Sequence, residues 1–329
     1  MTALVVRLDG FDGVLLAGPA VRAVAARTGD VTLLCTRRGA PAARLLPHVR
    51  DVVVWEPAGD EGPRGVPEGQ GDGADGLGGG AEDLVRRLRA AAYDTAVVLT
   101  PYGHSPLPVA RLLRSARRAA WIGADGDEPA GVLDVCHRRL PGRHEAEAAL
   151  DTAAAMGFRP RTGDDGRLRV LPAPDTAQLT GGNGPYVVLH PGAAAGSPEW
   201  GAERCAQTAA LLADAGHRVA VTGTAQEAAV TRRVAGVTAV DLGGRTSPRT
   251  LVGVVRGADC VLAGDADIAH LAAAVGTPVV SLPSKAAPAG DRAPYKVPSV
   301  LFGDDACPGA EHEATPLDVV EAVRQLLAA

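Results

Sequence analysis

The chain has 329 residues, of which 46% are hydrophobic and only 3% aromatic, and its formal net charge is −5. This length allows two domains of ordinary size. The acidic balance argues against a nucleic acid as partner. The first apolar run, residues 3–6, is followed by Arg7 and Asp9, which argues against a signal peptide or a membrane span. The five cysteines are scattered without a close pair, which is typical of a reduced cytoplasmic protein and not of a disulfide scaffold or a zinc site.

Short runs rich in Val and Leu alternate along the chain with Ala-rich amphipathic segments. The runs lack strict polar alternation, which is typical of strands that are covered on both faces. The predicted strands are 3–8, 31–35, 52–55, 95–99, 186–190, 218–222, 260–263 and 278–282. Predicted helices include 14–27, 81–92, 201–215 and 251–257. This alternation predicts an α/β fold with parallel sheets that carry helices on both sides.

Two breaks in composition suggest how the chain is divided. Residues 58–80 are rich in Gly and Asp and bury too little apolar surface to offset the entropy of ordering, so they are predicted to form a flexible surface loop, or alternatively a flap that orders on binding. Residues 159–185 are rich in Arg, Gly, Asp and Pro, and the β–α alternation restarts after them. The prediction is two doubly wound domains, 1–160 and 186–329, joined by a linker over 161–185.

Two carboxylates lie in the loop between the first strand and the first helix. Asp9 and Asp12 stand between glycines in the stretch Arg7-Leu8-Asp9-Gly10-Phe11-Asp12-Gly13. Either carboxylate could take a proton from an attacking hydroxyl group if it lies within hydrogen-bond reach. Alternatively, one of them caps the helix, since Asp is favoured at helix starts.

Three loops of the C-terminal half each follow a predicted strand. The first begins at His190 and contains Gly192, and its small residues let backbone amides approach a ligand closely. The second carries Gly223 and Glu227, where the carboxylate could accept hydrogen bonds from a ribose or could instead favour the positive end of its helix. The third follows the predicted strand 260–263 and begins at Gly264.

The stretch Gly264-Asp265-Ala266-Asp267 opens a helix that contains His270. Such a loop at the carboxyl end of a parallel strand is where α/β proteins bind anions, because unpaired helix N–H groups point into the crevice. Here two carboxylates occupy it. His270 lies one turn into the helix and either reaches the same site or is a structural residue.

Three groups of motifs, in their order along the chain, resemble a known family. They are Val-Val-Arg-Leu-Asp at 5–9 with Val-Leu-Leu-Ala-Gly-Pro-Ala-Val-Arg-Ala at 14–23, His-Pro-Gly-Ala at 190–193, and His-Leu-Ala-Ala-Ala-Val-Gly-Thr-Pro at 270–278. Together they resemble glycosyltransferase family 9, the heptosyltransferase-like group with the GT-B fold. The resemblance implies two Rossmann-like doubly wound domains that face each other across a cleft.

The resemblance also implies a function. A sugar would pass from a nucleotide diphosphate donor in the C-terminal domain, such as ADP-heptose, to a small-molecule or glycan acceptor in the N-terminal domain. Neither a metal nor another cofactor is implied. The general base would be Asp12 or Asp9. The implied donor-binding residues are His190, Gly192, Ala193, Ser197, Gly223, Glu227, Asp265, Ala266, Asp267 and His270.

The sequence departs from the family pattern at three places. The family's Gly-Asp before Val-Leu-Leu is reversed here to Asp12-Gly13. Pro198 stands where the family usually has a Lys or Arg before the Trp, and Ala266 and Asp267 replace the usual Thr and Gly. A cation is therefore missing and an anion is added around the implied diphosphate site, and like charges a few ångströms apart repel each other.

Two functions of different kinds follow from these observations. One is an active, inverting glycosyltransferase in which helix amides stabilise the departing diphosphate. The other is a non-catalytic GT-B protein that binds a sugar or a partner enzyme. A sugar-nucleotide epimerase shares the fold but has no specific support in these motifs.

Overall fold

The computed structural model describes residues 1–56, 81–100, 121–125, 133–192, 200–283, 290–302 and 314–328. The loop predicted over 58–80 lies outside these residues. The chain divides into two compact units, Met1–Gly166 and Arg167–Ala329, which we call the N-terminal and C-terminal units. Each is built around a parallel sheet to which the described residues contribute six strands, which confirms the predicted fold class.

The N-terminal unit contains strands β1–β6 and helices α1–α5. Its strands are β1 (Ala3–Arg7), β2 (Val31–Cys35), β3 (Val49–Val54), β4 (Thr95–Val98), β5 (Trp121–Asp125) and β6 (Val135–His137). Its helices are α1 (Phe11–Leu16), α2 (Gly18–Thr28), α3 (Ala40–Ala43), α4 (Ala81–Ala91) and α5 (Glu145–Ala155). The strands lie in the order β3-β2-β1-β4-β5-β6.

The C-terminal unit contains strands β7–β12 and helices α6–α10. Its strands are β7 (Val187–His190), β8 (Val219–Val221), β9 (Val240–Asp241), β10 (Cys260–Ala263), β11 (Val279–Ser281) and β12 (Ser299–Leu301). Its helices are α6 (Gly201–Asp214), α7 (Ala228–Ala235), α8 (Pro248–Arg256), α9 (Ala266–Val275) and α10 (Pro316–Ala328). The strand order is β12-β11-β10-β7-β8-β9.

Both sheets have the same topology. In each unit the first strand, β1 or β7, lies between the second and the fourth strands, so the strand order reverses there. Every residue of β1 and β7 is buried, which explains why these strands are apolar up to their last residues, Arg7 and His190, and do not alternate with polar residues. Burying each Val or Leu side chain contributes about 1.5–3 kcal/mol relative to leaving it exposed, and each core cluster also contains one buried tryptophan, Trp55 or Trp200.

Two predicted helices have different bounds in the structure. The helix predicted over 14–27 is two helices, α1 and α2, which are separated at Ala17. Pro19 lies in the first turn of α2, where its missing N–H breaks no helical hydrogen bond. Helix α8 begins three residues before its predicted start, because the Ser247 side chain caps it by accepting the Thr250 N–H.

Candidate functional site

The candidate site of this unit lies at β7, at the edge of the C-terminal sheet that is formed by the carboxyl ends of its strands. In open α/β sheets, ligands bind outside the carboxyl ends of the strands at the point where the strand order reverses. His190 is the last residue of β7, and Gly264 directly follows the neighbouring strand β10. Three of the predicted donor-binding residues, His190, Gly192 and Asp265, therefore lie at this edge.

Asp265 is the N-cap residue of α9. Its Oδ1 atom accepts the Ile268 N–H at 3.2 Å, while its Oδ2 atom lies 3.9 Å from His190 Nε2. The side chain is 23% exposed. Capping uses one carboxylate oxygen, so Asp265 can cap the helix and still present the other oxygen to a ligand.

Two glycines allow the loops after β7 and β10 to approach each other. Gly192 has a positive φ of 46°, and a Cβ atom there would lie 2.2 Å from Asp265 Oδ2. A Cβ atom at Gly264 would lie 1.8 Å from the Pro191 carbonyl oxygen. The Gly264 N–H donates to the His190 carbonyl at 2.8 Å. The small residues that the sequence analysis noted are thus required for this contact.

His190 lies between a hydroxyl group and a carboxylate. Its Nδ1 atom is 2.9 Å from the Thr222 hydroxyl, and its side chain is largely buried. Together with the 3.9 Å contact to Asp265, these distances fix the orientation of the imidazole ring. Thr222, which follows β8, was not identified from the sequence; its position at the end of a predicted strand next to a glycine was the available signal.

Glu227 lies in the loop between β8 and α7. Its Oε2 atom accepts the backbone N–H and the hydroxyl of Thr224, both at 2.7 Å. Burial raises its pKa, but the two hydrogen bonds from Thr224 and the nearby His190 imidazole outweigh that effect, so the pKa lies below its usual value. A Cβ atom at Gly223 would lie 3.5 Å from Glu227 Oε2. The loop therefore holds an ionised carboxylate beside the same edge of the sheet.

The remaining predicted residues of α9 differ in exposure. Ala266 is half-buried, Asp267 is exposed in the first turn, and His270 is fully buried. A carboxylate at Asp267 interacts favourably with the positive end of the helix dipole. The predicted residues Ala193 and Ser197 lie outside the described residues.

The N-terminal unit places the two candidate bases differently. Asp12 is half-buried in the first turn of α1, whose N-cap is Gly10. Asp9 follows β1 and forms a bidentate ion pair with Arg7, with Nε–Oδ1 and Nη2–Oδ2 distances of 2.5 and 2.7 Å. These bonds, and not a helix cap, account for the orientation of the Asp9 carboxylate.

Arg7 links Asp9 to a buried network that the sequence analysis did not identify. Arg7 is fully buried and also donates to Glu145 at 2.7 Å and to the Leu99 carbonyl at 2.7 Å. Glu145 in turn accepts hydrogen bonds from Arg139. The signal in the sequence was a charged residue at the end of an otherwise apolar strand, which requires a buried partner of opposite charge.

Other features of the described residues do not coincide with this site. A cavity of about 230 Å³ lies between residues 173–184 and α8, and none of the predicted site residues lines it. No three His, Cys, Asp or Glu side chains in the described parts of the chain are grouped so that they could hold a metal ion. Of the helices in the described ranges, none combines the length and apolar character that crossing a membrane requires.

One comparison with known proteins shows the family, and another shows the fold. A family profile described as glycosyltransferase family 9 (heptosyltransferase) matches residues 82–304. A search of curated proteins gives no significant match. Among solved structures, the chain is similar to a family 9 glycosyl transferase from Veillonella parvula, with a TM-score of 0.72 and 16% identity over 99% of this chain and 97% of the other.

Two Escherichia coli structures are also similar. The heptosyltransferase WaaC with ADP-2-deoxy-2-fluoro heptose has a TM-score of 0.71 and 19% identity over 99% of both chains. The ADP-heptose LPS heptosyltransferase II has a TM-score of 0.69 and 19% identity, covering 100% of this chain and 99% of the other. At these identities the likeness shows the fold, which is the predicted GT-B fold.

Proposed function

Since the family match spans more than half of its residues, the chain belongs to glycosyltransferase family 9, and on this premise we propose that it transfers a heptose-like sugar from an ADP-linked donor to an acceptor hydroxyl group. The observation that carries the proposal is the convergence of His190 and Asp265 at the edge of the C-terminal sheet where its strand order reverses. WaaC, to which the chain is similar, was solved with an ADP-linked fluoro-heptose, and this supports the choice of donor.

The donor binds through the C-terminal unit in this proposal. The Oδ2 atom of Asp265 accepts hydrogen bonds from sugar hydroxyl groups, and the ionised Glu227 carboxylate accepts hydrogen bonds from the ribose. The backbone N–H groups at the start of α9 stabilise the charge that develops on the departing diphosphate. The other predicted contacts are Gly192, Ala193, Ser197, Gly223, Ala266 and His270, and Asp267 lies beside the diphosphate.

The acceptor binds through the N-terminal unit. A carboxylate of Asp9 or Asp12 removes the proton of the acceptor hydroxyl as that oxygen attacks the anomeric carbon. The bond between the anomeric carbon and the diphosphate breaks, and the electron pair leaves with ADP. This attack from the opposite face inverts the anomeric configuration, and no metal or other cofactor takes part. The acceptor is a small molecule or a glycan.

The test is release of ADP from ADP-heptose in the presence of candidate acceptors, with binding of ADP measured by calorimetry. We expect turnover that a chelator does not change. Asp265→Asn should weaken binding of ADP-heptose at least ten-fold, because the amide loses the charge and one of the acceptor groups. The matched control is Asp259→Asn, which removes an exposed carboxylate before β10 at the opposite end of that strand.

Absence of binding to any nucleoside diphosphate, together with binding of a free sugar or of a partner protein, would favour the non-catalytic alternative. The comparisons lend that alternative no support.

A further inference from the structure

The Asp9 carboxylate occupies the space beside the Cα atom of Gly13 that the side chain of any other residue would need. A Cβ atom at position 13 would lie 1.9 Å from Asp9 Oδ2 and 2.7 Å from Asp9 Oδ1. Gly13 lies inside α1 without a positive φ, so the backbone does not require a glycine there. A glycine within a helix is less favourable than an alanine. The close approach of Asp9 gives the reason for glycine at this position.

A buried cation holds the carboxylate in this place. Arg7 is completely buried and donates to both oxygens of Asp9. Its third guanidinium nitrogen donates to Glu145 at 2.7 Å and to the Leu99 carbonyl. Burying a full charge is unfavourable unless it is paired and hydrogen-bonded. Since each nitrogen of the guanidinium group has a partner, the orientation of Asp9 is fixed from the interior of the unit.

The charge of Arg7 is shared between two carboxylates. Burial lowers the pKa of Arg7, but Asp9 and Glu145 outweigh that effect and raise it above its usual value. Burial likewise raises the pKa of Glu145, but the guanidinium groups of Arg7 and Arg139 outweigh this and hold it below its usual value. Both groups are therefore charged at neutral pH, and the network alternates in sign from Asp9 to Arg139.

The backbone around Asp9 is attached to both neighbours of β1. The Asp9 carbonyl accepts the Thr36 hydroxyl at 3.1 Å, and Thr36 follows β2. The Leu8 N–H donates to the Thr100 hydroxyl at 3.2 Å, and Thr100 lies two residues beyond β4. Strand β1 lies between β2 and β4, where the order of this sheet reverses and ligands of such sheets bind. The Asp9 side chain is 16% exposed, so a ligand can reach it.

We propose that Asp9 is the general base of this chain and that Arg7 and Glu145 are positioning residues that hold its carboxylate over Gly13. The proposal rests on the function proposed above and selects between its two candidate bases. Each carboxylate oxygen accepts more than one hydrogen bond, so Oδ2 can bind the acceptor hydroxyl as well as Arg7. Asp9 takes the hydroxyl proton as the oxygen bonds to the anomeric carbon, ADP leaves with the electron pair, and the proton then passes to water.

The first experiment compares Asp9→Asn with Asp12→Asn, using ADP-heptose turnover and the Kd for ADP. Asp9→Asn should lower kcat by 10²- to 10⁴-fold, which is about the contribution of a general base, and should leave the Kd for ADP unchanged. Asp12→Asn should lower kcat less than ten-fold. An equal loss, or a larger loss in Asp12→Asn, overturns the proposal. The control is Asp51→Asn, which removes an exposed carboxylate from β3.

A second variant moves the carboxylate instead of removing it. Asp9→Ala clears the space above Cα of residue 13, and Gly13→Asp in that background puts a carboxylate back into it. The kcat of the double variant should be at least ten-fold higher than the kcat of Asp9→Ala. The proposal is overturned if the double variant has the circular dichroism spectrum of the wild type but a kcat no higher than that of Asp9→Ala.

The positioning role is tested with Glu145→Gln and Arg7→Lys. A lysine keeps the charge of Arg7 but cannot form the bidentate contact. Both variants should lower kcat per folded molecule about ten-fold while the KM for ADP-heptose stays unchanged. A purely structural role would lower the folded fraction without changing kcat per folded molecule. If the wild type turns over ADP-heptose and Asp9→Asn is fully active, only this inference is refuted. If the wild type is inactive, the proposed function is refuted as well.

Discussion

At the scale of single residues, glycines show where two segments of this chain come into contact. Gly192 and Gly264 allow the loops after β7 and β10 to meet, and Gly13 makes room for the carboxylate of Asp9. Only Gly192 of these three combines a positive φ with the close approach of another side chain. Substitution of Gly192 should therefore be costly for two separate reasons.

Gly192→Ala should displace Asp265, because the new methyl group would lie 2.2 Å from its Oδ2 atom. We expect the Kd for ADP-heptose to rise at least ten-fold and the free energy of unfolding to fall by about 1–3 kcal/mol. Calorimetry and urea unfolding measure the two effects.

Gly276→Ala is the matched control for this substitution. Gly276 ends α9 with a φ of 85°, but no atom lies within 4 Å of the position that a Cβ would take. Its substitution should cost stability through backbone strain alone and leave the Kd for ADP-heptose unchanged. An equal loss of affinity in both variants would contradict the role of Gly192 in placing Asp265.

Asp267 adds a negative charge beside the proposed diphosphate site. It is exposed in the first turn of α9, where an anion stabilises the helix but repels another anion at the same helix end. Asp267→Asn should therefore lower the Kd for ADP about two- to five-fold and reduce the free energy of unfolding by about 0.5 kcal/mol. Isothermal calorimetry at low and high salt measures the first effect, which should shrink as salt rises. Weaker ADP binding in the variant would show that Asp267 contacts the donor directly.

At the scale of secondary structure elements, the starts of helices and the ends of strands carry the specific interactions. Ser247 caps α8 and Asp265 caps α9 through side chains that stand before the first helical residue. At the end of β1, Arg7 pairs with Glu145, the first residue of α5. The ion pair thus joins a strand to a helix that lies far away in the sequence.

This ion pair should make stability depend on pH in the acid range. The pKa of Glu145 in the folded chain lies below its ordinary value of 4.5. Its stabilising contribution is therefore complete above about pH 4.5 and is lost as the pH falls through the folded-state pKa. Glu145→Gln should lower the free energy of unfolding by about 3 kcal/mol at pH 7, because it removes one of the two carboxylates that compensate the buried charge of Arg7. The difference from the wild type should shrink below pH 4.5, as measured by urea unfolding.

Glu147→Gln is the control for this pH dependence. Glu147 lies on the same helix, α5, and pairs with Arg143 at 3.0 Å, but both side chains are partly exposed. Its substitution should change the free energy of unfolding by less than about 0.5 kcal/mol at any pH, since exposed pairs contribute little. A difference for Glu145→Gln that stays constant from pH 3 to pH 7 would contradict the assignment.

At the scale of the whole molecule, two units with separate cores repeat one strand order. One core cluster of buried residues lies in the C-terminal unit between Val187 and Val323, and another lies in the N-terminal unit between Leu4 and Leu133. Each unit therefore places the carboxyl end of its first strand at a reversal point of its own sheet. This arrangement provides one candidate site in each unit.

Hydrogen–deuterium exchange should assign the donor to one unit. Addition of ADP should slow exchange in the segments 190–192, 222–227 and 264–270, because ligand binding reduces local opening. The segment 7–13 should be protected less than these segments by ADP alone. The Asp9→Asn variant provides the control and should show the same protection pattern. Protection by ADP that is strongest at 7–13 would contradict assignment of the donor to the C-terminal unit.

Sequence alone determined the class of fold and the family, because both depend on local patterns. Continuous Val and Leu runs between Ala-rich segments predict buried parallel strands, and the motifs at 5–23, 190–193 and 270–278 stand in one order along the chain. Short edge strands such as β9, with two residues, carry too little pattern to be identified. The start of α8 was missed although Ser247 and Pro248 are a recognisable start signal.

The tertiary structure decided which side chains meet. Arg7 and Glu145 are 138 positions apart in the chain, and no periodicity connects them. Likewise, the approach of Gly192 to Asp265 and the position of Asp9 over Gly13 depend on how loops from different strands pack. Hydrophobic patterns specify elements through local spacing, whereas ion pairs and close backbone contacts arise only when distant segments are brought together.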